Sequence, residues 1–282
     1  MNVIKKIKSK INIKPYSPSL GATVKGIDLS KKLSNTELSV VKKAFTKYQV
    51  LFFQEQSEIS PEVQIELGKS FGPLHYHPAA PTMKGFPEIF EIHTHKNSKV
   101  SDGSENFHSD VSCDEEPPLG TMLQLHILPD CGGDTLFTNM YMAYESLSEK
   151  MKKFLKNLNA WHESEHIYKG RYKERGVLDE EISCPFSLHP IVRTHPDSGK
   201  KAIFVNRNFT TKVDELSKEE SKSILDFLYN HCEQLKFQIR YRWNKNDLAF
   251  WDNRCTMHRV LWDYYPLERK GRRVTIKGDK PY

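Results

Sequence analysis

Two histidines and an aspartate carry the most direct chemistry that this sequence offers. His108-Ser109-Asp110 sets an imidazole and a carboxylate two residues apart, and in an extended segment that spacing puts both side chains on one face. A metal held by this pair needs a third ligand. The best candidate is His258, which closes the stretch Trp251-Asp252-Asn253-Arg254-Cys255-Thr256-Met257-His258. Two imidazoles and one carboxylate leave three coordination positions open on a non-haem ferrous ion. The same atoms suit zinc, so a zinc hydrolase is a second reading of them. A lone HxD triplet is common in surface loops, and its setting is what strengthens it. An alternating stretch, Thr121 to Ile127, follows, and the pair Gly132-Gly133 then precedes a second strand, Asp134 to Phe137.

Other histidine pairs share the two-residue spacing. His75 and His77 lie in Phe71-Gly72-Pro73-Leu74-His75-Tyr76-His77-Pro78, where one is expected to line a pocket and the other to pack. His93 and His95, on a strand from Glu88 to His95, are expected to be structural. Near the C-terminus Arg254, Arg259, Arg269, Arg272 and Arg273 cluster and could receive small anions. A non-catalytic binding protein for a small anion is therefore a third reading.

These side chains need a scaffold, and the rest of the chain has the makings of one. With 282 residues, no Pro/Ser-rich linker and no internal repeat, a single domain over residues 1–282 is the simplest organisation. The net charge of +6 is spread among glutamates, without the clustered basic face of a nucleic-acid binder. No apolar run approaches the roughly 20 residues of a membrane span. Ile4 to Lys10 has the charge of a signal-peptide n-region, but Ile11 to Tyr16 is no apolar h-region, so the expected location is cytoplasmic. Five scattered cysteines without CxxC spacing suggest ordinary reduced thiols.

Along the chain, Ile11 to Leu29 reads as a first strand and turn. Ser34-Asn35 offers an N-cap for a helix with Leu38, Val41, Phe45 and Tyr48 on its buried stripe. Gln49 to Phe53 suits a buried strand, and Ser60-Pro61-Glu62 starts another helix. Tyr144, Leu147, Met151, Phe154 and Leu158 predict one helix over Ala143 to Leu158, and Trp161 to Glu181 reads as an irregular segment able to act as a lid. Strands are expected at Leu188–Arg193, Lys201–Asn206, Phe237–Trp243, Asp247–Trp251 and Arg272–Ile276, with His258 between the last two. Ser217-Lys218-Glu219-Glu220 is a capping box opening a helix to Leu235. Many short strands with flanking helices predict a mainly β fold, a sandwich or barrel, and a jelly roll would bring residues 108–110 and 258 to one open end.

The sequence resembles a known family. Phe107-His108-Ser109-Asp110-Val111-Ser112, Gly132-Gly133-Asp134-Thr135-Leu136, Phe204-Val205-Asn206, Phe209-Thr210-Thr211, Trp251-Asp252-Asn253-Arg254 and Gly278-Asp279-Lys280-Pro281 look, in order and spacing, like the taurine dioxygenase (TauD/TfdA-like) family of Fe(II)- and 2-oxoglutarate-dependent oxygenases. The resemblance implies a double-stranded β-helix, a cupin-like jelly roll with flanking helices, as the core. It implies His108, Asp110 and His258 as iron ligands, and Arg269 with Thr135 as the grip on 2-oxoglutarate. It implies O2-dependent conversion of 2-oxoglutarate to succinate and CO2, coupled to hydroxylation of a second substrate. His77 and Arg273 match the positions that hold the sulfonate of taurine, and Phe209 matches a pocket wall. The family's tyrosine and asparagine around the amine are Ala80 and Ser104 here, so a small anion other than taurine is implied: a sulfonate, sulfate ester or carboxylate. Dimers or tetramers are the family expectation.

Overall fold

The dense apolar run before Gln54 is where two cores meet. The structure, a computed structural model, describes residues 11–101 and 103–282; the basic stretch Ile4 to Lys10 lies outside the described residues. β1 (Asn12–Pro15) and β2 (Ala22–Lys25) lead to α1 (Asn35–Tyr48), and β3 (Val50–Phe53) follows at once. Side chains on β3 alternate between faces. Val50 and Phe52 join Phe90, Leu123, Phe137 and Trp251, whereas Leu51 and Phe53 join Val41 and Phe45 of α1. α1 starts at a capping box, in which Ser34 accepts the Glu37 N–H and the Glu37 carboxylate accepts the Ser34 N–H.

α2 (Pro61–Lys69), capped by Ser60, precedes β4 (Leu74–His75), β5 (Thr82–Met83), β6 (Phe86–Thr94), β7 (Gly120–Ile127) and β8 (Thr135–Asn139). The single helix expected over 143–158 is two, α3 (Met140–Glu145) and α4 (Glu149–Leu155). Ser148 caps a fresh N-terminus by accepting the Met151 N–H, and Phe154, assigned to the buried stripe, is 47% exposed. The irregular segment expected from Trp161 in fact begins inside β9 (Asn159–Glu163); α5 (Glu165–Tyr168) and two single 3₁₀ turns make up its remainder.

β10 (Phe186–Pro190) and β11 (Val192–Thr194) replace one expected strand, β12 (Lys201–Ile203) is shorter than expected, and β13 (Thr210–Val213) was not foreseen. α6 (Lys218–Cys232) has the expected capping box but stops short of Leu235. β14 (Gln238–Tyr241), β15 (Leu248–Asp252), β16 (Thr256–Val260) and β17 (Arg269–Ile276) complete the chain. His258 lies within β16, a strand of its own.

The large sheet runs β1-β2-β3-β15-β7-β17-β6-β5, with β4 also on β17; the small sheet is β14-β8-β16. Aromatic side chains fill the space between them: Phe52 and Tyr241 stack with centroids 3.7 Å apart, and Phe137 meets Phe52 edge-on. This is the jelly-roll architecture expected. No helix among the described residues is long and apolar enough to cross a membrane.

A third sheet, β10-β9-β13, buries two histidines. His162 is held between the Ser112 and Thr210 hydroxyls, and burial keeps its pKa well below 6.5. Burial, aided by Arg193, pushes His189 down to about 4 although its ring also bonds the Asp114 carbonyl. The unfolded chain binds these protons below about pH 6.5 and the folded chain resists them, so stability is full at neutral pH and drains away as pH falls through that window. The thermal midpoint is expected to drop between pH 7 and pH 5; a flat profile would contradict burial of these rings in the neutral form.

Candidate active site

β16 and the turn containing His108 are stitched together by backbone. The His108 N–H donates to the His258 carbonyl at 3.0 Å and the His258 N–H donates back at 2.8 Å, an isolated antiparallel bridge that fixes both imidazoles side by side. Their ring centroids lie 4.3 Å apart. The Nε2 atoms of His108 and His258 stand 3.8 and 3.9 Å from Oδ1 of Asp110. His108 Nδ1–H donates to the Asn106 carbonyl, which leaves its Nε2 lone pair aimed at the shared centre.

Electrostatics keep all three groups in ligand form. Burial lowers the pKa of His108, and pushes that of His258 down to about 3, so both rings are neutral. Burial works the other way on Asp110, but Arg273, the two imidazoles and the Thr121 hydroxyl outweigh it and hold the carboxyl well below its usual range. Two neutral nitrogens and one anionic oxygen, within 4.8 Å of one another, fit a divalent ion that prefers mixed N/O donors.

The carboxylate is aimed by partners from other strands. Thr121 of β7 donates to Asp110 Oδ2 at 2.7 Å, Asn253 donates to the Thr121 hydroxyl, and the Asp110 N–H and Trp251 indole both donate to the Asn253 amide oxygen. Val111, next in the chain and also on the cavity wall, holds φ at 44°, an unusual backbone for a β-branched residue.

β17 contributes two arginines four residues apart, hence on one face. Gly271 lies between them at a bulge, where a Cβ would collide with the Gln124 carbonyl. Arg273 packs its guanidinium over Phe90, 4.8 Å from the ring centroid, and donates to Asp110 Oδ1 at 2.9 Å; its Nε has no partner among the described residues. Arg269 is 3% exposed, with its stem against Gly133, whose φ of +71° and lack of a Cβ admit it. Thr135 accepts the Trp243 indole N–H at 3.0 Å, so its own hydroxyl hydrogen is left for a ligand.

These groups line one cavity of about 320 Å³. Its wall includes His77, Ser104, Phe209, Tyr168 and Arg171. The family model for taurine catabolism dioxygenases TauD, TfdA family, matches residues 12–275. The chain belongs to the TauD/TfdA family.

Relatives agree in type. An alpha-ketoglutarate-dependent sulfonate dioxygenase of Saccharomyces cerevisiae is 31% identical over 96% of this chain and 68% of its own length. An alpha-ketoglutarate-dependent sulfate ester dioxygenase of Pseudomonas putida is 27% identical, covering 96% of this chain and 91% of the relative. The crystal structure of a taurine dioxygenase from Burkholderia xenovorans superposes with a TM-score of 0.81 at 30% identity, covering 96% of this chain and 92% of that one. This TauD/TfdA chain is thus an oxidoreductase, a dioxygenase that uses Fe(II), 2-oxoglutarate and O2.

Among the family-matched positions, His77 lines the cavity while the Ala79 and Ala80 N–H groups donate to its Nδ1, which leaves Nε2–H as the ring's donor. Burial and the nearby Arg273 keep that ring neutral. Ala80 is buried behind it and does not line the cavity. Ser104 lines the wall and donates to Asn208, and Phe209 does line it. His75 pairs with Asp114 and His93 with Glu268, outside the cavity.

The sequence reading missed Thr121, Asn253 and Trp243, which only orient others. It also missed a second buried trio, His195, Asp252 and Cys255. That trio is structural: His195 Nε2–H donates to Asp252, its Nδ1 accepts the Asp197 and Ser198 N–H groups, and Arg254 occupies both Asp252 oxygens.

Proposed function

We propose that this TauD/TfdA dioxygenase hydroxylates a small organic anion, a sulfonate, sulfate ester or carboxylate, with His108, Asp110 and His258 holding the iron. The observation that carries this reading is the pair of buried arginines of β17 on one cavity wall, one over the Trp243 ring whose N–H bonds Thr135 and the other donating to Asp110. Two separate cations suit two separate anions, the co-substrate and the substrate.

In this reading Arg269 and the Thr135 hydroxyl grip the far carboxylate of 2-oxoglutarate, because a guanidinium meets a carboxylate through two parallel hydrogen bonds. Arg273 and the His77 Nε2–H receive the anionic end of the substrate, and the aromatic wall of Phe90 and Phe209 lies along its apolar part. When bound, the iron supplies the oxidation: one oxygen atom of O2 goes to the succinate that replaces 2-oxoglutarate, CO2 departs, and the other enters a substrate C–H bond as hydroxyl. The chain's part is placement and exclusion of water, and the segment 164–181, which sets Ile167, Tyr168, Arg171 and Tyr172 on the cavity wall, serves as the lid. Ser104 and Ala80, in place of amine-binding groups, favour an anion other than taurine. The same reading makes the enzyme cytoplasmic, in keeping with five unpaired cysteines, and a homo-oligomer.

Anaerobic titration with Fe(II) and 2-oxoglutarate tests it. A weak visible charge-transfer band is expected, and a panel of sulfonates, sulfate esters and carboxylates should include one that perturbs the band and drives succinate formation. No band on iron-loaded protein would refute the site assignment. Arg273→Ala is expected to raise KM for the substrate by more than it raises KM for 2-oxoglutarate; the reverse ranking would mean that the two arginines have exchanged roles.

A further inference from the structure

Arg171 is the cation on the cavity wall that this scheme leaves without work. It follows α5 and stands between two hollows. The active-site cavity and a second cavity of about 650 Å³ share Val100, Ser101, Arg171 and Tyr172 as common wall. One guanidinium nitrogen of Arg171 donates to the Ser101 and Gly103 carbonyls, each at 3.1 Å, which fixes the head group on that common wall. It forms no ion pair among the described residues, and its remaining N–H groups donate to none of them. The outer cavity continues the sign, with Lys99, Lys173 and Arg175 beyond Arg171 facing Glu91 and Glu174.

A guanidinium held by neutral carbonyls keeps its full charge and its outward donors, an arrangement suited to a second anionic group. The apolar wall between the two ends, Phe90, Ile92, Leu123 and Ile167 among it, fits a hydrocarbon spacer. We infer that Arg171 is a specificity-determining residue and that the preferred substrate is a two-headed anion, with one acidic group at Arg273 beside the metal site and a second at Arg171. This inference rests on the function proposed above and narrows its substrate class to disulfonates, sulfocarboxylates and dicarboxylates with an alkyl or aryl spacer.

The test compares alkane disulfonates with alkane monosulfonates of matched length on the iron-loaded enzyme, with succinate as the readout. Wild type is expected to favour the dianion in kcat/KM by roughly tenfold, about one charge-assisted contact. In Arg171→Gln that dianion-to-monoanion ratio should collapse toward unity, and in Arg171→Lys it should persist in part. Absence of any dianion preference in wild type overturns the inference while monoanion turnover leaves the oxygenase reading standing. A Gln variant that loses both substrates equally, with the ratio intact, would show that Arg171 only latches the wall. If no anion supports succinate formation, the oxygenase reading fails and takes this inference with it.

Discussion

Replacing His258 with alanine is expected to abolish turnover and leave the fold standing. Two features separate those outcomes. The bridge that joins residues 108 and 258 is made by backbone on both sides, so it survives loss of either imidazole. The ring itself packs against Trp251, with centroids 4.6 Å apart, and its removal leaves a modest hole beside an open cavity, not within a closed core. Two ligands alone hold a divalent ion poorly in water. The loss of activity should therefore exceed the roughly 10–100-fold seen when only a group orienting a ligand is removed. His108→Ala should behave alike. Metal content, circular dichroism and succinate formation measured on each variant decide the matter: full activity in either would sink the assignment, and a collapsed fold would mean that the rings serve packing first.

Arg269→Ala should raise KM for 2-oxoglutarate by roughly 30–5,000-fold, the range expected when one partner of a buried, hydrogen-bonded charge pair is removed at about 2–5 kcal/mol. The side chain is 3% exposed, so water cannot replace it cheaply. Arg269→Lys should recover little, because an ammonium cannot present two parallel donors to a carboxylate. A KM that stays within a few-fold of wild type in Arg269→Ala would remove this residue from the co-substrate site.

Much of the site was legible because its chemistry lies in side-chain types at short spacing. His108 and Asp110, two apart, share a face in an extended segment, whereas Arg269 and Arg273 were named by family resemblance, and the expected strand from Arg272 left Arg269 outside the β17 that holds both. His258 could be named, but its strand could not, since β16 owes its existence to pairing with β8. The split between α3 and α4 was hidden by an apolar stripe that continues in phase across Ser146 to Ser148. β9 was hidden by its polar residues, because His162 is buried only through hydroxyls that arrive from Ser112 and Thr210. Thr121, Asn253 and Trp243 follow the same logic. Their roles are set by the strand that happens to lie opposite, and no local pattern announces that.

The contact between Arg273 and Asp110 ties the two charged ends of the site together. Arg273 donates to Asp110 Oδ1 at 2.9 Å, so an anion arriving at Arg273 shares the guanidinium with that carboxylate. Once Asp110 shares its charge with a divalent ion, that competition weakens and Arg273 becomes a better anion receptor. Metal and anionic substrate are thereby thermodynamically coupled, each raising the other's affinity by the same factor.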